Sequence, residues 1–221
     1  MPRAALFDVD GTLVDSNYLH VAAWWEALRQ SGHDVPATAI HHAIGLGSTD
    51  LLDHLLGEHR DRDQDDTITQ AHKTLYATHY ERLTPLPGAG DLLRALDARG
   101  WRIGLVTSAD DRQLAAMREA VGADEVIRDT ASSADVSRGK PAPDPLRHGM
   151  ELVGSEAADT VFVGDSVWDM RAASRAGITA VALLSGGIPR ADLERAGARE
   201  VYEDPSDLLA RLDDSAFGGA S

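Results

Sequence analysis

The chain has 221 residues, which is enough for one or two domains with a hydrophobic core. Hydrophobic residues make up 43% and charged residues 26%, as in ordinary globular proteins, so wholesale disorder and fibrous repeats are excluded. The absence of cysteine excludes disulfides and thiolate chemistry, and a formal net charge of −15 argues against nucleic-acid binding because such a surface repels phosphate backbones.

The first segment of the chain is predicted to be a buried strand. Residues 4–7 form a continuous apolar run that ends abruptly at Asp8 and Asp10. A continuous run of this kind is typical of a strand buried on both faces of a parallel sheet. The segment lacks the longer apolar region of a signal peptide, and no apolar run approaches the roughly 18 residues of a membrane helix. We therefore expect a cytoplasmic protein that does not contact membranes.

An all-helical segment is predicted to follow this strand. Helical patterns cover residues 18–30, 37–44, 48–56 and 67–83, and the polar residues 57–66 are expected to form a solvated loop. Residues 85–88, Pro-Leu-Pro-Gly, mark a change of pattern because proline and glycine interrupt helices. We predict a helical cap domain over residues 15–85, inserted into a core domain of residues 1–14 and 86–221.

Strands and helices alternate in the rest of the chain. Apolar runs predict strands at residues 102–106, 125–127, 160–163 and 178–183. Helical patterns lie between or beside them, at residues 91–98, 112–121, 145–153 and 168–176. This alternation predicts an α/β fold, a Rossmann-like parallel sheet with helices on both faces.

Polar side chains follow three of the predicted strands, and a further one lies in a loop. They are Asp8, Asp10, Thr107, Ser108, Asp165, Asp169 and, in the loop, Lys140, one of only two lysines in the chain. Ligands of open parallel sheets bind outside the carboxyl ends of the strands, where these side chains would meet. Clustered carboxylates need a cation or shared protons, and Mg²⁺ prefers such oxygen ligands together with substrate phosphates. The pattern therefore predicts phosphoryl transfer assisted by Mg²⁺.

Four segments together resemble the ordered motifs of the haloacid dehalogenase superfamily. They are Asp8-Val9-Asp10-Gly11-Thr12-Leu13-Val14, Thr107-Ser108, Lys140-Pro141 and Gly164-Asp165-Ser166-Val167-Trp168-Asp169. The helical insert directly after the first motif resembles the phosphoglycolate phosphatase and beta-phosphoglucomutase branch of that superfamily. The resemblance spans nearly the whole chain and implies a core of this family's fold with a helical cap.

The resemblance also implies a role for each motif residue in catalysis. Asp8 would be the nucleophile that attacks phosphorus, and Asp10 the general acid and base. Thr107 and Ser108 would hold a phosphoryl oxygen, and Lys140 would neutralise charge between Asp8 and the phosphoryl group.

The resemblance further implies a metal site and a turn. Mg²⁺ would be held by the Asp8 side chain, the Asp10 backbone carbonyl and Asp165, with Asp169 in support. Gly11 would let the chain turn sharply beside the phosphate, and Thr12 would fix Asp10 through a hydrogen bond.

Asp10 indicates the reaction class, whereas the choice between a phosphatase and a phosphomutase stays open. Dehalogenases of the superfamily lack the second aspartate, so Asp10 favours a phosphatase or a phosphomutase. His20 and Trp24 resemble the cap entrance of beta-phosphoglucomutases, but residues 45–49 lack the arginine that grips a second phosphate; Lys73 could substitute.

We therefore expect a phosphatase acting on a small phosphorylated metabolite. A beta-phosphoglucomutase-like phosphomutase is the alternative, and a catalytically silent binding protein is an alternative of another class. The sequence leaves the oligomeric state open.

Overall fold

A computed structural model describes residues 2–132, 136 and 138–218. Strand β1 (Ala4–Phe7) is followed by helices only: α1 (Asn17–Gln30), α2 (Ala37–Ala43), α3 (Ser48–Leu56) and α4 (Asp65–Ala77). Helices and strands then alternate through α5 (Ala89–Ala98), β2 (Arg102–Val106), α6 (Asp111–Val121), β3 (Ile127–Ala131), α7 (Asp144–Val153), β4 (Thr160–Gly164), α8 (Val167–Ala176), β5 (Thr179–Leu183), α9 (Arg190–Ala196), β6 (Glu200–Tyr202) and α10 (Pro205–Ala210). Among the described residues, no helix has the length and apolarity needed to cross a bilayer.

The strands of the described residues form one parallel sheet in the order β3-β2-β1-β4-β5-β6. Strand β1 lies inside the sheet between β2 and β4, and all four of its residues are buried. Its successive side chains point to opposite faces, so Leu6 and Phe7 enter two separate apolar clusters. The prediction of an α/β parallel sheet is confirmed, and the buried central strand explains the continuous apolar run at residues 4–7.

The helices α1–α4, here called the helical insertion, pack around an apolar cluster of their own. Trp24 and Leu28 lie four residues apart on α1, and they share this cluster with Ile40 of α2, Leu52 of α3 and Ile68 of α4. The insertion therefore lies between β1 and β2 in the chain, as the sequence predicts. Its status as a separate cap domain, with boundaries at residues 15 and 85, stays a prediction.

The polar contacts between the helical insertion and the sheet side include two from α2. The His41 Nε2 atom lies 2.7 Å from the Gly186 carbonyl oxygen, and the indole N–H of Trp168 donates to the His42 carbonyl at 2.9 Å. Both contacts join α2 to the segments that follow β4 and β5. The described structure is thus one in which the insertion rests against the carboxyl ends of the strands.

Two predictions for the insertion need correction, one about the end of a helix and one about a loop. Helix α4 ends at Ala77 rather than residue 83, because the Thr78 hydroxyl donates to the Leu75 carbonyl at 2.7 Å and competes with the helical ladder. Residues 57–66 are not simply a solvated loop. Arg60 has a side chain only 6% exposed, and it pairs with Asp53 and Asp65 across the segment.

The predicted strand at residues 125–127 is also wrong. Asp124–Val126 is a 3₁₀ turn, and the strand follows as β3 at one edge of the sheet. Its exposed Arg128 and Asp129 give it a polar sequence, which is common on edge strands. The short strand β6 at the other edge and the helices α9 and α10 were not predicted.

Candidate active site

Asp8, Lys140 and Asp169 form a buried charged cluster at the carboxyl end of β1. The Asp8 backbone N–H donates to the Val163 carbonyl at 2.9 Å, so the sheet itself fixes the position of Asp8. The Lys140 ammonium donates to Asp8 Oδ1 at 2.7 Å and to Asp169 Oδ1 at 2.8 Å, and its side chain is only 2% exposed. The structure thus brings together three residues that the sequence predicts for the site.

Asp169 is held in place by the start of α8. Ser166 is the N-cap residue of this helix, and its hydroxyl donates to Asp169 Oδ2 at 2.6 Å while its backbone N–H donates to the same oxygen at 3.1 Å. The two residues form a reciprocal capping box. One Asp169 oxygen therefore completes the cap, and the other pairs with Lys140.

Asp165 completes a group of carboxylates that could hold a metal ion. One oxygen each from Asp8, Asp165 and Asp169 lie within 4.8 Å of one another, and all three residues are buried. Lys140 supplies one positive charge to three carboxylates, which leaves a formal charge of −2. Buried carboxylates crowded in this way either retain protons or bind a cation, and their oxygens suit a hard divalent cation.

Two side chains from the segment after β1 donate to Asp165. The Asn17 amide donates to Asp165 Oδ2 at 2.7 Å, and the Thr12 hydroxyl donates to Asp165 Oδ1 at 3.1 Å. The expectation that Thr12 fixes Asp10 is therefore wrong, because its hydroxyl points across the turn to the end of β4. Gly11 has φ of +71°, and a Cβ atom there would collide with Asn17 and Asp165.

The crowding of carboxylates shows in their pKa values. Burial, with Asp169 adding to the effect, raises the pKa of Asp165 to about 7. Burial also raises the pKa of Asp8 well above its ordinary value; Lys140 opposes this shift, and the neighbouring Asp169 and Asp165 reinforce it. Burial opposes charge on Lys140, but Asp169 and Asp8 outweigh it and raise the pKa of the ammonium. The cluster therefore has too little positive charge for its three carboxylates, as expected of a cation site.

We expect this cluster to destabilise the metal-free protein as the pH rises. With the pKa of Asp165 raised to about 7 in the folded state, the folded protein keeps a proton that the unfolded chain releases near pH 4. The contribution of this group to the free energy of unfolding therefore falls as the pH rises from about 4 to about 7. MgCl₂ should raise the melting temperature more at about pH 8 than at about pH 5, and thermal melts check this. An equal Mg²⁺ effect at both pH values would contradict the prediction.

Asp10 is held by donors that are distinct from the acidic cluster. Its Oδ1 atom accepts from the Ser16 hydroxyl at 2.5 Å and lies 3.0 Å from His20 Nε2, whereas its Oδ2 atom lies 3.4 Å from the Gln113 amide nitrogen. Burial would raise the pKa of Asp10, but His20 and Ser16 outweigh it and lower the pKa. These contacts favour the ionised form of Asp10, and Oδ2 is the less tightly held of its two oxygens.

His20 and Trp24 join a stack of rings inside the helical insertion. The His20 ring lies 3.7 Å from the Tyr76 ring, and the Trp24 ring lies 4.0 Å from the His72 ring, measured between centroids. His20 Nδ1 lies 3.0 Å from His72 Nε2, and both histidines are buried. Sequence reasoning did not find His72, because a histidine within a helix has no motif around it.

A partly open cavity of about 80 Å³ connects these groups. Its lining includes seven of the residues predicted for the site, namely Asp8, Asp10, His20, Trp24, Lys73, Ser108 and Lys140, together with Ile44, Gly45, Leu46, Ser48, Leu51, His72, Ala109, Asp110 and Gln113. Residues from the sheet side and from the helical insertion thus face a common space.

The remaining predicted residues lie beside this cavity rather than on its wall. Thr107 follows β2 and is buried, and its hydroxyl accepts from the Ala109 backbone N–H at 3.1 Å. Asp165 and Asp169 lie behind Asp8, in the acidic cluster. Lys73, which does line the cavity, pairs with Asp110 at 3.2 Å. The catalytic, phosphate-binding and metal-binding roles of these residues stay predictions.

The chain matches a known enzyme family. A family model described as haloacid dehalogenase-like hydrolase matches residues 2–177, and the chain belongs to this family. The prediction of an enzyme, a hydrolase of this superfamily, is confirmed. The chain is 33% identical over 222 residues to a phosphoglycolate phosphatase of Rhodospirillum rubrum, covering 94% of this chain and 90% of that protein. It is 30% identical to a phosphoglycolate phosphatase of Pseudomonas putida, covering 99% and 82%.

Solved structures agree with this assignment. A hydrolase from Pseudomonas syringae superposes with a TM-score of 0.92 at 37% identity, covering 97% of this chain and 99% of that one. A beta-phosphoglucomutase from Clostridium difficile superposes with a TM-score of 0.83 at 18% identity, covering 97% and 96%. The second likeness shows the shared fold alone.

Proposed function

We propose that this protein hydrolyses a small phosphomonoester through a phosphorylated Asp8, with Asp10 as the general acid and base. The observation that carries the proposal is that two carboxylates with different surroundings, Asp8 and Asp10, line one cavity. Asp8 is paired with Lys140, whereas Asp10 is held through Oδ1 by Ser16 and His20. When two carboxylates of one site have different surroundings, they bind protons differently, and this supports one role for Asp8 and another for Asp10.

The proposed reaction has two steps that regenerate the enzyme. An Asp8 carboxylate oxygen bonds to phosphorus as the bond to the leaving alkoxide breaks, and a proton from Asp10 Oδ2 passes to that alkoxide. Water then attacks the phosphorus of the aspartyl-phosphate and gives a proton back to Asp10, which releases inorganic phosphate and frees Asp8. The negative charge of an arriving phosphate raises the pKa of Asp10, so that it carries the proton it needs for the first step.

Mg²⁺ is the ion that we propose for the acidic cluster. The residues proposed to hold it are Asp8, Asp165 and the Asp10 backbone carbonyl, with Asp169 positioned behind them by Lys140 and Ser166. When bound, the ion supplies positive charge beside the transferred phosphoryl group. Lys140 supplies a second positive charge to the same region, and Thr107 and Ser108 are proposed to hold a phosphoryl oxygen.

The helical insertion is proposed to act as a cap domain that selects the leaving group. Trp24, Ile44 and Leu51 give its side of the cavity an apolar wall, with the Lys73 ammonium at the edge. We propose a small leaving group with an apolar part against this wall, and a carboxylate on that group would pair with Lys73. Phosphoglycolate, the substrate in the names of the relatives, is therefore the first compound to test.

A phosphomutase is the second candidate, because His20 contacts Asp10 at 3.0 Å and could govern when water reaches the intermediate. Against it, residues 45–49 carry no cationic side chain for a second phosphate. Incubation with a hexose 1-phosphate and its bisphosphate distinguishes the two, since a mutase yields the 6-phosphate and a phosphatase yields free phosphate.

The experiment that tests the proposal is phosphate release from a panel of small phosphomonoesters with Mg²⁺. Asp10→Asn should lower kcat by about 10²- to 10⁴-fold, the usual contribution of general acid–base catalysis. Asp15→Asn, at an exposed aspartate of the same segment, is the matched control and should leave kcat unchanged.

Chelation with EDTA should stop the reaction and MgCl₂ restore it. Full activity of Asp10→Asn, or release that persists in EDTA, would refute the mechanism. No release from any compound would favour the mutase or a silent binding protein.

A further inference from the structure

Asn17 is the first residue of α1, and its side chain reaches from the helical insertion to the acidic cluster. The residue is only 4% exposed. Its amide nitrogen donates to Asp165 Oδ2 at 2.7 Å and to the Gly186 carbonyl oxygen at 3.4 Å. Asp165 follows β4 and Gly186 follows β5, so one side chain of the insertion bonds to the ends of two neighbouring strands.

The orientation of the Asn17 amide follows from its neighbours. A carboxylate and a carbonyl oxygen can only accept, so the NH₂ group rather than Oδ1 must face both of them. Oδ1 is buried and has no hydrogen-bond partner among the described residues, so the side chain does not cap α1 either. Within the described part of the chain, the hydrogen bonds of the Asn17 side chain are therefore directed wholly at Asp165 and Gly186.

The surroundings of this hydrogen bond are closely packed. A Cβ atom on Gly186 would overlap Asp165 Oδ2, and one on Gly11 would overlap the Asn17 amide nitrogen. Both glycines therefore bring backbone directly against the pair. The other oxygen of Asp165, Oδ1, accepts from the Thr12 hydroxyl at 3.1 Å. Asn17 thus belongs to a continuous set of contacts that fixes the orientation of the Asp165 carboxylate.

A second residue of the insertion binds the same carbonyl group. His41 of α2 places Nε2 2.7 Å from the Gly186 oxygen, and the Tyr18 ring stacks on the His41 ring at 5.0 Å between centroids. Helices α1 and α2 therefore meet at one backbone carbonyl beside Asp165. A displacement of the insertion from the sheet side would break the His41 contact and pull the Asn17 amide away from the carboxylate.

Resting on the proposed function, in which Asp165 holds Mg²⁺, we propose that Asn17 is a positioning residue that couples the helical insertion to the cation site. Its amide holds the Asp165 carboxylate in place only while the insertion is docked on the sheet side. Groups that orient a metal-binding carboxylate contribute to metal affinity in this way. By linkage, docking of the insertion strengthens Mg²⁺ binding, and bound Mg²⁺ strengthens docking by the same factor.

The first test measures Mg²⁺ binding to the full chain by calorimetry, without substrate. Asn17→Leu removes the amide donor at nearly constant volume and should weaken Mg²⁺ binding by about 10- to 100-fold, the usual effect of losing a group that orients a metal ligand. Gln30→Leu removes an amide from the exposed last turn of α1 and is the matched control, with unchanged affinity. Equal affinities of the wild type and Asn17→Leu would overturn the proposal.

The second test separates positioning from a general structural role. Thermal melts in EDTA report the stability of the metal-free proteins, and added MgCl₂ should raise the melting temperature of Asn17→Leu less than that of the wild type. A variant that melts earlier in EDTA but keeps the full Mg²⁺ effect would overturn the proposal, because Asn17 would then support only the fold.

The third test acts on the insertion at a residue that contacts no carboxylate of the cluster. His41→Phe keeps a ring against Tyr18 but cannot bond to Gly186. It should weaken Mg²⁺ binding by about 5-fold, the lower end of usual couplings between sites. His42→Phe, at the exposed neighbouring histidine, is the control and should have no effect. Unchanged affinity in His41→Phe would overturn the proposal even if Asn17→Leu did not fold.

The fourth test measures the coupling in the opposite direction, through amide hydrogen exchange in α2. MgCl₂ should slow this exchange by about 5-fold or more in the wild type and much less in Asn17→Leu. Equal slowing in both proteins would overturn the proposal. Failure of the wild type to bind Mg²⁺ would contradict the proposed cation site and the coupling with it, whereas equal binding by the wild type and Asn17→Leu overturns the coupling alone.

Discussion

Asp8→Asn is expected to lower the rate of phosphate release by about 10⁴-fold or more, because it removes the atom proposed to bond to phosphorus. The substitution keeps the shape of the side chain, and its amide oxygen can still accept from Lys140, which lies 2.7 Å from Asp8 Oδ1. The change therefore tests the chemistry of the carboxylate rather than the packing around it. Initial rates with Mg²⁺ and phosphoglycolate measure the effect.

The same substitution should leave the protein at least as stable as the wild type. It removes one of three crowded carboxylates, and the pKa of Asp8 is already raised by burial. Loss of activity with an unchanged or higher melting temperature therefore separates catalysis from folding. Asp15→Asn, at an exposed position, serves as the control for both measurements. An Asp8→Asn enzyme that retained a tenth of the activity would exclude Asp8 as the nucleophile.

Lys140→Met is expected to have the largest effect on stability. It removes the ammonium that pairs with Asp8 and Asp169 and leaves three buried carboxylates with no positive partner in the cluster. Breaking a buried ion pair from one side costs about 3–5 kcal/mol, and we expect a loss of that size in the free energy of unfolding without metal. Urea unfolding measures it. Activity should fall by at least about 10³-fold, since Lys140 also faces the cavity.

The other lysine provides the matched comparison for stability. Lys73 pairs with Asp110 on the surface, and its side chain is 42% exposed, so Lys73→Met should change the free energy of unfolding by less than about 1 kcal/mol. Mg²⁺ should stabilise Lys140→Met more than it stabilises the wild type, because the variant site carries one more uncompensated negative charge. Equal losses in the two variants would contradict the assigned role of Lys140 in the cluster.

The core of the site could be predicted from the sequence because the topology of a parallel sheet brings strand ends together. Asp8 follows β1, Thr107 follows β2 and Asp165 follows β4, and these strands are neighbours in the sheet. Short motifs that are far apart in the sequence therefore predict side chains that lie together in the structure. The scarcity of lysine in the chain also drew attention to Lys140.

Groups that support the site escaped prediction because they reach it from distant elements. Gln113 on α6 approaches Asp10, and His72 on α4 approaches His20, across sequence separations that no local pattern encodes. The Thr12 hydroxyl donates to Asp165, and the sequence could not show which aspartate it contacts. Edge strand β3 escaped for a different reason, since its exposed polar residues obscure the apolar pattern.

The place of β1 inside the sheet has a consequence for synthesis on the ribosome. Asp8 is made before both of the strands that pair with β1, which begin only at Arg102 and Thr160. The helical insertion, which has its own apolar cluster, is made in between. The nascent chain therefore carries its proposed nucleophile without its partner until Lys140 has been made, and the acidic cluster exists only after Asp165 and Asp169 have emerged. The enzyme can therefore become active only after β4 has been made and has paired with β1.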